Sequence, residues 1–179
     1  MSEQPSRYTR SFNGMVGAMV VTVVFVLAFV GWRALFRGDG EDAAPTVDWR
    51  ESVELADSAG LAVVHPRELP AGWRATSVDL RAGDEPRWGL GVLTDSGDFV
   101  GIRQEDRPVG DLVETYVDED ADEGDEVTLT SDVATTWQTW SDDGGDHGWS
   151  AEIGEESLLV YGSAPAEQIE AYIESLRQG

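Results

Sequence analysis

Two hydrophobic patterns divide this chain. From Ser11 to Trp32 no residue is charged and the apolar residues run on almost unbroken, whereas beyond residue 46 they fall into short clusters separated by Gly, Pro and Asp. The first pattern predicts a membrane-crossing helix: at about 1.5 Å per residue, Ser11 to Trp32 spans about 33 Å, against a hydrocarbon core of about 30 Å. Arg10 and Arg33 bound it, and Phe12 and Trp32 lie where aromatic rings favour the headgroup layer. The stretch outruns the roughly 7–15 residues of a signal-peptide core, and Gly31-Trp32-Arg33-Ala34 offers no small-x-small cleavage site, so an uncleaved anchor is expected. Gly14, Ala18 and Thr22 recur every four residues, a small-residue stripe on which two such helices could approach and form a homodimer.

The second pattern predicts one folded domain. Residues 1–10 form an N-terminal tail, 11–36 the transmembrane helix, 37–46 a polar Gly- and Pro-bearing linker, and 47–179 the domain. Asp48 is placed to cap a short helix carrying Trp49, Val53 and Ala56 and ending at Gly60. A strand over Ala62–Val64 is expected to stop at Pro66. Alternation from Trp73 to Leu80 predicts a second strand, and Trp88–Thr94 and Phe99–Gln104 flank Asp95-Ser96-Gly97-Asp98 as a hairpin. Pro108 opens a helix with Val109, Leu112, Val113 and Tyr116 on one side. Strands are expected at Val127–Thr130, Ala134–Trp140, Trp149–Ile153 and Ser157–Gly162. A closing helix then follows Pro165 through Ile169, Tyr172, Ile173 and Leu176. Hairpin-linked strands with helices at the start, middle and end give an α+β fold, an antiparallel sheet packed with helices.

Charge separates the two regions further. Residues 1–37 hold Arg7, Arg10, Arg33 and Arg37 against Glu3, while the remainder holds 8 arginines against 34 Asp and Glu, a net charge of −26. Such a surface repels phosphate backbones and anionic headgroups, which disfavours nucleic acid and a peripheral membrane-binding face. Arginines flank both ends of the anchor equally, so charge alone leaves its orientation almost tied. The chain has no cysteine and no lysine, which removes disulfides, thiolate chemistry, lipoprotein attachment and Schiff-base chemistry.

Candidate chemistry is sparse. His65 and His147 stand alone, without a second histidine at ligand spacing, and neither a G-x-S-x-G nor a P-loop occurs. Gly89-Leu90-Gly91 begins like a dinucleotide fingerprint, but Thr94 stands where the third glycine belongs and the stretch reads as a strand. The acidic run Asp118–Glu126 has calcium-loop spacing at 118, 120 and 122, yet Glu123 and Leu129 occupy the positions that need glycine and glutamate, so a solvated loop is expected. No catalytic residue, cofactor or metal site is assigned. Tryptophans at 49, 73, 88, 137, 140 and 149 are expected mostly in the core. Trp137 and Trp140, an odd number of residues apart, should face opposite sides of their strand, which makes them candidates for contact with a partner or ligand.

Arg7-Tyr8, the run Asn13 to Ala18, Leu69-Pro70-Ala71-Gly72-Trp73-Arg74 and its continuation to Val78, Trp88 to Gly91 and Phe99 to Gln104 together resemble an actinobacterial family catalogued as domain of unknown function 4245. The resemblance implies a single-pass protein of the plasma membrane, N-terminus in the cytoplasm and acidic domain outside. It carries over no activity and no functional residues. The element order is also similar to the PsbP and Mog1 type of α/β/α sandwich, a fold analogy alone.

The expected function is a membrane-anchored extracytoplasmic binding or assembly module of the cell envelope. Its partners would be the lipid bilayer, through the helix, and an envelope protein or a small molecule. Two other readings stand beside it: a small-molecule or lipid carrier or sensor with a pocket between sheet and helices, and an enzyme built from carboxylates alone.

Overall fold

The computed structural model describes residues 46–179; the anchor with Gly14, Ala18 and Thr22, and nearly all of the linker, lie outside the described residues. Among the described residues no helix is long and apolar enough to cross a membrane. Helix α1 (Trp49–Ser58) starts where the Asp48 carboxylate accepts the Arg50 backbone N–H at 3.1 Å, and it ends before Gly60, whose φ of +76° suits glycine. Trp49 and Ala56, two turns apart, bury the same face.

The main sheet has seven strands in the order β2 (Arg74–Arg81), β3 (Arg87–Leu93), β4 (Phe99–Glu105), β8 (Glu156–Gly162), β7 (His147–Ile153), β6 (Thr136–Ser141) and β5 (Asp122–Thr128), each antiparallel to its neighbour. The β3–β4 hairpin turns as expected, with Thr94 N donating to Asp98 O at 2.9 Å and Gly97 at φ +91°. Helix α2 (Val109–Tyr116) follows β4, and α3 (Ala166–Glu174) follows β8.

Alternation along the strands splits the apolar residues between two faces. One face carries Trp88, Leu90, Val92, Val100, Ile102, Trp137, Trp149, Leu158 and Val160, packed with Trp49 and Ala56 of α1 and Ile169, Tyr172 and Ile173 of α3. The opposite face carries a smaller cluster of Leu159 with Leu112 and Val113 of α2. Trp88 is fully buried and its indole N–H donates to Val64 O at 2.7 Å; truncating such a side chain to alanine costs about 3–5 kcal/mol.

Three expectations change. The acidic run is not wholly a loop, because Asp122–Thr128 is the edge strand β5, paired with β6 around a register shift between Glu123 and Glu126. Ladder hydrogen bonds use backbone groups, so Asp122–Glu126 can hold as a strand with every side chain exposed while only Val127 packs against the core, and carboxylates on an edge deter pairing with another chain. The Gln138 and Thr139 side chains secure the irregularity by donating to the carbonyls of Gly124 at 2.6 Å and Asp125 at 2.7 Å.

The first strand, β1, lies at Val64–Pro66 rather than stopping before Pro66, and the closing helix ends at Glu174. Leu176 instead begins a further strand, β9 (Leu176–Gln178), antiparallel to β1 in a two-stranded ribbon that pairs His65 with Arg177 and Pro66 with Leu176. A two-stranded ribbon is all edge, where a residue without an N–H is tolerated. Helical spacing mistook Leu176 for a helix residue because it is fully buried in either geometry.

Candidate functional site

The ribbon lies beside α1, and between them opens a cleft of about 450 Å³. Trp49, Val53, Leu61 and Val63 give it an apolar floor. Around them stand Arg50 from α1, His65 and Arg67 from β1 and its exit, and Arg177 from β9, with Glu54 and Asp57 farther along the helix.

His65 is 3% exposed, its ring centroid 5.5 Å from that of Trp49. Its Nδ1–H donates to Pro66 O at 2.9 Å, which fixes the tautomer and leaves Nε2 as the acceptor. Burial pushes the imidazole below its ordinary value; the bond to Pro66 works in the other direction, and Arg177 and Arg50 add to the lowering. The Arg50 guanidinium lies over the Trp49 ring at 4.6 Å. Arg50 and Arg177 thus converge on one buried imidazole.

The domain's arginines mostly find carboxylates: Arg67 pairs with Asp132, Arg81 with Glu85, Arg87 and Arg103 with Asp79, and Arg107 with Glu105 and Asp111. No ion pair within 4.0 Å forms at Arg50, Arg74 or Arg177 among the described residues. Two of these three line the same cleft.

The α2 side of β2, β3 and β4 holds the other concentration of polar groups. Asp79 accepts a hydrogen bond from Arg103 Nη1 at 2.9 Å and forms an ion pair with Arg87, whose Nε lies 2.9 Å away and whose Nη2 donates to it at 3.4 Å. The Arg103 guanidinium lies 4.6 Å from the Tyr116 ring centroid, and the Tyr116 hydroxyl donates to the buried Glu105 carboxylate at 2.8 Å. Burial and that bond to Glu105 raise the phenol above its ordinary value, while Arg103 works against them. Gly89 and Gly101 provide the floor: a methyl group at Gly89 would sit 2.8 Å from the Arg103 guanidinium carbon, and one at Gly101 2.6 Å from Tyr161 Cε1. Gly89 and its neighbours therefore make room for flat-lying side chains, consistent with a strand and not with a phosphate-binding turn.

The structure separates the two tryptophans singled out in the sequence. Trp137 is fully buried in the main core, its indole N–H donating to Ala134 O at 3.0 Å. Trp140 lies on the opposite face beside the α2 cluster, half-buried, donating to Ser150 Oγ at 2.8 Å. Neither lines the cleft. Its own residues carried no usable signal, since only tertiary packing brings Arg50 and His65 to Arg177. Among the described residues no group of three or more His, Asp or Glu is placed to hold a metal ion.

Comparison with known proteins adds the family. No curated protein matches the chain. The crystal structure of MucB in complex with MucA(peri) is similar over 64% of this chain and 36% of MucB, at 16% identity and a TM-score of 0.38. The chain thus spans about a third of that protein's length, and a likeness this loose carries no argument about function. The profile of one family, described as a protein of unknown function, matches residues 7–176. This chain therefore belongs to that family, DUF4245, which extends over nearly its whole length.

Proposed function

We propose that the chain is a membrane-anchored, extracytoplasmic contact module of the cell envelope, acting by binding rather than by catalysis. The uncharged stretch Ser11–Trp32 supports an anchor, and the strongly acidic remainder supports a domain that stays in solvent beside the membrane. Helices on both faces of an antiparallel sheet support the PsbP and Mog1 type of sandwich as its architecture. The observation that carries the reading is the cleft beside α1, where among the described residues Arg50 and Arg177 have no carboxylate partner although acidic residues outnumber arginines about fourfold in this domain.

The carrier or sensor reading gains from the same cleft, whose volume falls within the ~300–1,000 Å³ of small-molecule sites. Both readings require the domain outside. Protease added to intact spheroplasts should remove residues 47–179 and spare the N-terminal tail; protection of the domain would overturn the topology. Dimerisation through Gly14, Ala18 and Thr22 belongs to the same proposal, and a monomer after cross-linking in the membrane would remove it.

A further inference from the structure

We infer that the cleft between α1 and the β1–β9 ribbon binds a single-chain anionic amphiphile, a long-chain carboxylate of the fatty-acid type. Its chain would lie on Trp49, Val53 and Leu61 and its carboxylate between Arg50 and Arg177. The inference rests on the contact-module reading and gives that site a ligand class.

Three observations lead there. The floor is apolar side chain, which suits a hydrocarbon chain better than a peptide, whose backbone would need hydrogen-bond partners that Trp49, Val53 and Leu61 side chains do not supply. The two cations converge on one end: Arg177 is paired with His65 across the ribbon, and Arg50 stacks on Trp49, itself against His65. That end is also the N-terminus of α1, where the helix dipole favours an anion. Glu54 and Asp57 lie on the following turns of α1 and repel a carboxylate from the other end, which orients the ligand.

A cleft of about 450 Å³ takes one chain rather than two. The surrounding acidic domain, at a net −23 over residues 47–179, is held off an anionic bilayer, so the ligand is met as a single molecule rather than as a membrane face. At short range the guanidinium pair outweighs that diffuse repulsion, because screening in salt extends over only about 8–10 Å.

The test uses the full chain in phosphatidylcholine nanodiscs, with a dibrominated long-chain fatty acid as a contact quencher of tryptophan fluorescence. Quenching by the acid should contain a saturable part that vanishes in Trp49→Phe. Arg50→Ala combined with Arg177→Ala should raise the half-saturation point at least ~10-fold, since a charge-assisted bond is worth more than the tenfold step in affinity. Both arginines are exposed, so the double variant should keep its near-ultraviolet circular dichroism.

No saturable component would overturn the inference, as would equal saturation by the methyl ester or in the arginine variant. Equal quenching by brominated phosphatidylglycerol in the disc would also overturn it, in favour of a two-chain membrane lipid. A photo-reactive residue in place of Glu54, which lines the cleft and leaves both arginines in position, separates this inference from the reading beneath it. Arginine-dependent cross-linking to an envelope protein, without saturable quenching, sinks the fatty acid and keeps the contact module; neither signal sinks both.

Discussion

Two arginine clusters of this domain have opposite surroundings. On the α2 face of the sheet, Arg87 and Arg103 meet Asp79, and Glu105 is met by Tyr116 and Arg107, so charge is matched within the fold and the glycines beneath leave room for nothing else. Beside α1, Arg50 and Arg177 face a cleft with an apolar floor, and among the described residues no carboxylate lies within ion-pair distance of either. The same residue type is therefore structural in one place and available in the other. Changes on the sheet face should be felt in stability, and changes at the cleft in binding.

The sharpest break of that contrast is Gly101→Val, which drives a branched side chain into the Tyr161 ring and should destabilise the domain by about 1–3 kcal/mol in urea unfolding. A variant as stable as the wild type would mean the face is looser than its geometry. Tyr116→Phe removes the hydroxyl that donates to the buried Glu105 carboxylate and should lower the unfolding free energy by about 1–2 kcal/mol. Denaturant midpoints with an unchanged slope will show it.

At the cleft the expected change in stability is smaller. Arg50→Ala and Arg177→Ala together remove two exposed charges that make no ion pair among the described residues and should change stability by no more than about 0.5 kcal/mol. A large loss would make them structural and erase the distinction between the two regions.

The finest probe is pH. Because burial lowers the His65 imidazole, the folded domain resists a proton that the unfolded chain accepts below about 6.5. Stability credited to neutral His65 is whole above that value and lost as pH falls beneath it, among the charges of Arg50, Glu54, Arg67 and Arg177. Wild type should lose stability relative to His65→Gln between pH 7 and pH 5, read as the difference of two denaturation series. Parallel curves would contradict the burial.

Legibility of the fold followed how local each signal was. The β3–β4 hairpin is written in Asp95-Ser96-Gly97-Asp98, and α1 and α2 in a cap, a proline and apolar spacing, all effective within a few residues. The acidic part of β5, Asp122–Glu126, escaped notice because it is held by the β6 backbone while its residues, four of the five acidic, are all exposed; its end at Val127 and Thr128 was expected as a strand. Strand β9 is three residues long and exists only because β1 lies opposite.

By itself the sequence determined the charge of the domain, the want of thiol and lysine chemistry, the uncharged stretch before it and the order of nearly all elements, since each depends on composition or short-range periodicity. Tertiary structure alone decided that Trp137 would be core and Trp140 half-buried on the other face, that the glycines of β3 and β4 would serve Arg103 and Tyr161, and that Arg50 and Arg177 would converge on His65. No local pattern encodes that convergence; it arises where α1 packs against a ribbon made from distant parts of the chain.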